Sequence, residues 1–309
     1  MTDTETMLTT DEVDALLVEL EPETRTAPEA NSPRPPNIAA TVVRRGVLIF
    51  ALTVIAFLVF ALWFSGLSHA RSQIGLQRRF QTELNNLSAP VSGRIEPGAP
   101  VAVLRIPSIG VNEIVVEGAG SAETRAGPGH VVGTRLPGQA GNAVIAGRLM
   151  TYGGPFKHLS SLETGDRIIV TTGQGRSTYR VTGEAKSYGA EHGSVFGDYG
   201  DNRLTLVTSD PPFRASRRLV VTAKLVELPY EATELRRALD AEGLGLTGDR
   251  GAIAVVLVWL ELLVALVAVA VFAMRRWLRW STWIVFVPAL ALVTWLFFEH
   301  AMQLLPATL

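Results

Sequence analysis

Three long apolar runs divide the chain. Residues 46–68 and 282–298 carry no charged side chain, and residues 251–274 carry one, Glu261. Each run is long enough, as a helix, to cross a hydrocarbon core of about 30 Å, so three membrane spans are predicted. A buried core helix is the competing reading for 251–274, but a chain of this size has no core able to hide two such segments. Between the first and second spans the pattern changes to short alternating stretches broken by turns. Val101–Leu104, Ile114–Val116, Ala143–Ala146, Arg167–Thr172, Ser177–Thr182, Leu204–Thr208 and Leu219–Leu225 read as strands, with Gly173-Gln174-Gly175 as a hairpin turn. Compact β domains have this pattern, and spacing alone permits a sandwich or a barrel. Leu76, Phe80, Leu84 and Leu87 at helical spacing predict a short juxtamembrane helix, and Tyr230–Ala241 another, both as spacers.

Composition agrees with membrane residence: of 309 residues 48% are hydrophobic, and mean hydropathy is positive. A net charge of −1 and the lack of any nucleic-acid motif point away from nucleic acid as a partner. No cysteine occurs, which excludes disulfides, thiolate metal sites and a cysteine nucleophile together. No metal site and no cofactor is expected. Residues 1–43 are acidic and then proline-rich, a composition that predicts disorder. Within them Glu12–Leu20 reads either as a short amphipathic helix that docks on a partner or as solvated tail. The acidic tail before Arg44 and Arg45 argues against a cleavable signal peptide. Arginines on both sides of the first span leave its orientation ambiguous, but Arg275, Arg276 and Arg279 crowd the loop 275–281 and mark it as cytoplasmic.

The expected layout is therefore a cytoplasmic tail (1–43), span (46–68), juxtamembrane linker (69–98), extracytoplasmic β domain (99–228), linker (229–250), span (251–274), basic cytoplasmic loop (275–281) and span (282–298). The whole is a multi-pass protein of the plasma membrane with its N-terminus inside and membrane lipids as partners. A carboxylate within a span is costly, by about 2.5–3.5 kcal/mol on insertion-based scales, so Glu261 is expected to face protein. Either it is hydrogen-bonded within the three-helix set, or it contacts a partner's helix or serves a proton-linked role.

One stretch is punctuated differently from its neighbours. Leu204-Thr205-Leu206-Val207-Thr208-Ser209-Asp210-Pro211-Pro212 is a β-branched and apolar run stopped by a hydroxyl, an acid and two prolines. The proline pair forbids further ladder bonds, so Ser209 sits at a strand's mouth, where rigid backbone can aim a side chain at a loop-bounded space. By itself this is also how an ordinary strand leaves a sheet.

Other stretches, in the same order, extend the pattern: Val103-Leu104-Arg105-Ile106-Pro107-Ser108-Ile109-Gly110-Val111; Gly127-Pro128-Gly129-His130; Gly133-Thr134; Leu136-Pro137-Gly138-Gln139-Ala140-Gly141-Asn142; Ile145-Ala146-Gly147-Arg148; Tyr152-Gly153-Gly154-Pro155-Phe156; and Arg217-Arg218-Leu219-Val220-Val221. Together they resemble the sortase family, cysteine transpeptidases of the Gram-positive cell envelope, in its class E-like, actinobacterial type. The resemblance spans roughly Ala99–Leu228 and implies a mainly β fold, a closed barrel carried on three transmembrane helices. In the family pattern a histidine follows Ala-Gly, the strand ends in Thr-Cys and an arginine opens the last strand. The matching positions hold Arg148, Ser209 and Arg218.

That exchange removes the thiol and the imidazole and keeps the cation. A serine nucleophile needs an adjacent base, and a guanidinium does not give up its proton. His130 is either a structural turn residue or a base that swings toward Ser209; His158 and His192 are read as surface residues. Asp210 is expected to pair with Arg148 or Arg218 and fill the former site with an ion pair. The functional expectation is a catalytically inactive, sortase-like binding or scaffolding module whose groove, with His130, Tyr152, Asp210 and Arg218, holds a peptide or an anionic cell-wall component. A subunit of a larger membrane complex is compatible with it. The alternative is an atypical serine-based hydrolase or transpeptidase at Ser209.

Overall fold

The computed structural model describes residues 38–189, 193–210, 216–231, 249, 251–276 and 279–308. The acidic tail, His192, most of the Tyr230–Ala241 stretch and Trp277-Leu278 of the basic loop lie outside them. The chain divides into two units, Met1–Ala51 and Leu52–Leu309, and the site lies wholly in the second.

Helix α1 (Ile38–Val59) passes through one π turn (Phe60–Phe64) into α2 (Ser65–Asn85). The expected break after residue 68 does not occur, because nothing in His69–Leu84 stops a helix. Nor is α2 a spacer. The Gln73 amide donates to the carbonyls of Ile114 (3.1 Å) and Ala126 (2.6 Å) and accepts from the Ile114 N–H (2.7 Å). His69 bonds Glu113 at 3.0 Å, and Phe80 is fully buried beside Ala89 and Ile114.

The β domain has nine strands: β1 (Pro100–Ile106), β2 (Val111–Glu117), β3 (Gly129–His130), β4 (Asn142–Ala146), β5 (Arg167–Thr172), β6 (Gly175–Val181), β7 (Lys186–Gly189), β8 (Arg203–Asp210) and β9 (Arg217–Leu225). They pair in the order β6-β5-β1-β2-β3-β4-β8-β9, and β9 returns to β6 to close an eight-strand barrel; β7 shares that edge of β9. Closure decides between barrel and sandwich. Seven of the strands follow the sequence pattern; β3 is two residues long and β7, Lys-Ser-Tyr-Gly, has no apolar alternation to read. Leu104, Ile106, Ile145, Leu204, Leu206, Val221 and Tyr179 fill one core, while Val144, Ala146, Val207 and Val220 point the other way and pack on Ala119, Val131, Val195 and Phe196. Strand β8 is thus covered on both faces, and each fully buried Leu or Val contributes about 1.5–3 kcal/mol.

Helices α3 (Ala252–Arg276) and α4 (Arg279–Ala301) follow, and all three long helices are apolar enough to span a membrane. Phe60 meets Trp295 edge-on at 4.9 Å and Phe57 meets Phe298 at 5.3 Å, the T-shaped geometry that aromatic quadrupoles favour. Glu261 departs from one of its two expected placements. It lies exposed on α3 and makes no hydrogen bond among the described residues, because α3 turns the small residues Ala252, Ala270 and Ala273 inward instead.

Candidate functional site

Parallel strands β4 and β8 run side by side, Ala146 opposite Val207, and leave the barrel at the same end. The pairing continues one step past β4 through the Gly147 N–H to the Val207 carbonyl (2.9 Å), and the Thr208 hydroxyl donates to the Gly147 carbonyl (2.8 Å). Position 147 takes only glycine, since a Cβ there would collide with the Phe156 ring. This places Arg148 at one strand exit and Ser209 at the other. On the far side, antiparallel β9 sets Arg218 directly opposite Ser209, and the Cβ atoms of residues so paired generally lie about 4.5–5.5 Å apart. The three matched positions therefore converge on one end of the barrel.

Arg148 is fully buried. It donates to the Thr151 hydroxyl (2.9 Å) and to the Ser121 carbonyl and hydroxyl (3.0 and 3.2 Å), and its guanidinium lies 4.8 Å from the centre of the Tyr152 ring. Burial lowers its pKa to about 10. Arg218, 1% exposed, stacks over Phe196 at 4.8 Å, and its Nε and Nη1 have no hydrogen-bond partner among the described residues. Burial lowers it too, to about 10. Both remain cations at neutral pH and neither is a base.

The other expected site residues are placed differently. Both ring nitrogens of His130 are engaged, Nδ1 with Glu117 at 2.7 Å and Nε2 with the Arg135 carbonyl at 2.9 Å, so the ring is held in a buried ion pair and not aimed at Ser209. Burial on its own would lower its pKa; the Glu117 charge and the hydrogen bonds outweigh this and raise it. Asp210 does not pair with Arg148 or Arg218. The Ser187 hydroxyl of β7 donates to its carboxylate, and Arg217 binds the same serine at 2.9 Å, because alternation along β8 turns Asp210 away from Ser209. His158 is exposed.

Tyr152 lies at a junction and not on an open groove. It is fully buried against Phe60, Phe298 and Met302, and its hydroxyl reaches Glu299 of α4 at 3.4 Å. Burial first, then the Glu299 charge, pushes its phenol up to about 12. Its backbone is left-handed, φ 50°, a conformation that costs a bulky residue of order 1–3 kcal/mol. Ser65, just past the π turn, accepts the Tyr152 N–H at 2.9 Å and offsets part of that cost. Glu299 also binds Arg125 (3.4 Å) and Ser68 (3.3 Å). Sequence reasoning passed over Ser121, Phe196 and Glu299; of these only Glu299, an isolated acid closing an apolar run, carried a signal.

Ser209 is 1% exposed, and its hydroxyl donates to the Thr308 carbonyl at 2.9 Å. Among the described residues, no imidazole or carboxylate hydrogen-bonds to Ser209.

Residues 104–226 match the family model described as the sortase domain. The chain carries a sortase-family domain. It is 28% identical over 221 residues to sortase SrtE1 of Streptomyces coelicolor, an alignment covering 66% of this chain and 62% of that protein, so it spans less than two thirds of that relative's length. It is 28% identical over 156 residues to sortase A of Listeria monocytogenes, covering 50% of this chain and 69% of that one. Among solved structures, sortase E from Streptomyces avermitilis is 33% identical, covering 44% of this chain and 93% of that chain at a TM-score of 0.40. An eight-strand barrel whose residues 104–226 match the sortase domain is present in a chain with no cysteine.

Proposed function

We propose that this protein is a membrane-anchored sortase-family pseudoenzyme, an extracytoplasmic binding or scaffolding module that works as a subunit of a cell-envelope membrane complex. The observation that carries the first half is the state of Ser209. Its proton is given to a carbonyl oxygen, its charged neighbours are protonated arginines, and the domain's buried histidine is committed to Glu117. A hydroxyl in such surroundings has no route to an alkoxide, whereas a thiol at the same position would be partly ionised near neutral pH. The competing reading, a serine-based hydrolase or transpeptidase, requires a base that the described residues do not supply. What the groove retains is a cation, Arg218, whose Nε and Nη1 have no hydrogen-bond partner among the described residues, beside a strand exit, which suits a peptide carbonyl or an anionic envelope component.

The second half rests on Glu261. Its exposure on α3 leaves a carboxylate toward lipid, and a partner's helix would relieve that cost. Affinity purification of the full chain in mild detergent tests this. The wild type should bring down a membrane protein in stoichiometric amount, and Glu261→Leu should lose it. A chain that purifies alone, or a partner retained equally by Glu261→Leu, would contradict the proposed contact.

A further inference from the structure

The same end of the barrel is already filled, and the filler is this chain. Beyond α4 a short turn (Met302–Leu304) redirects the backbone, and Leu305 is extended, φ −81° and ψ 152°. The next residues run across the site. The Ser121 hydroxyl donates to the Leu305 carbonyl at 3.1 Å, and the same serine holds Arg148. The Thr308 carbonyl receives the Ser209 hydroxyl at 2.9 Å and the Leu149 N–H at 3.2 Å, with the Thr208 hydroxyl at 3.4 Å. Ala307 and Thr308 are completely buried. A main-chain carbonyl is thus held by the hydroxyl at one strand exit and by a backbone N–H just beyond the other, donors that a peptide lying across the site would meet.

We propose that Leu305–Thr308 is a built-in occupant of the Arg148–Ser209–Arg218 groove, a plug supplied in cis that keeps the groove closed to peptides offered in trans. The proposal rests on the reading of this groove as a peptide-binding site. Two features support an occupant in place of an incidental contact. Every carbonyl bond named above comes from a residue at the strand exits or from Ser121, which braces Arg148, so the segment binds the site itself and not its rim. The tether also matters: α4 holds the segment at the groove, and a short tether gives effective concentrations of order millimolar, which a free peptide of similar affinity does not match.

The test uses the full chain in detergent with Ser209→Cys as its single thiol. Two variants open the groove: Ala307→Trp, too large for a fully buried site, and replacement of residues 305–309 by a Gly-Ser repeat of equal length. Iodoacetamide should label the thiol at least tenfold faster in both variants than in the parent, while far-ultraviolet dichroism stays the same. A fluorescent peptide Leu-Pro-Ala-Thr-Leu should bind the Gly-Ser variant and not the unaltered chain. Equal labelling rates in parent and Gly-Ser variant, whether fast or slow, would overturn the plug, as would peptide binding to the unaltered chain. The pseudoenzyme reading fails by a different result, turnover that depends on Ser209, so the two failures are distinguishable.

Discussion

Ser209 and a cysteine differ by one atom, yet the exchange changes what the neighbours must provide. The thiol's reference pKa of about 8.5 supplies some thiolate near neutrality, and a serine depends on a base at hydrogen-bond distance. Arg148 now stands at the exit that would hold that base, locked by Thr151 and Ser121. His130, the buried imidazole among the domain's described residues, serves stability instead. Because His130 is raised in the folded state, its stabilisation is complete below the unfolded value of about 6.5 and is lost as pH rises through the higher folded value. His130→Leu strands Glu117 and should cost about 3–5 kcal/mol in mildly acidic solution. The gap in melting temperature between wild type and His130→Leu, followed from pH 5.5 to 8.5, should narrow as pH rises. A gap that widens would remove the ion pair from the account.

Strands β8 and β9 were readable because their alternation matches the two faces that the barrel buries, and Arg218, matched through the resemblance to the arginine that opens the last strand, lies opposite Ser209 in their register. The pairing of Asp210 with an arginine was misread because sequence gives no sign of β7, whose Ser187 takes that carboxylate. The long helices were read as spans from length and hydropathy, but the unbroken run from α1 to α2 hides how firmly α2 joins the barrel through Gln73, a lone polar residue on an otherwise ordinary helix. Orientation rests on the arginines of residues 275–281. Single cysteines in this cysteine-free chain should report it. Ser160→Cys should react with a membrane-impermeant maleimide on intact cells stripped of wall, and Thr10→Cys and Leu278→Cys only after permeabilisation. Labelling of Leu278→Cys from outside would reverse the arrangement.

At the scale of the molecule the sequence shows its parts in order and conceals how they meet. The barrel, the three long apolar helices and the positions Arg148, Ser209 and Arg218 follow from local pattern and from the resemblance those patterns carry. The contacts that define the site's present state do not. Glu299 meets Tyr152 across 147 positions and Thr308 meets Ser209 across 99, and neither residue belongs to a periodic stretch that would announce its partner. Folding has thus brought the residues that follow α4 onto the strand exits of the β domain. The central claim is that this chemistry is gone while the groove persists. The direct measurement is turnover of a fluorogenic peptide series by the purified full chain and by its Gly-Ser 305–309 variant, each with and without Ser209→Ala. All four should match buffer. Hydrolysis or transpeptidation by either chain that disappears with Ser209→Ala would contradict the account.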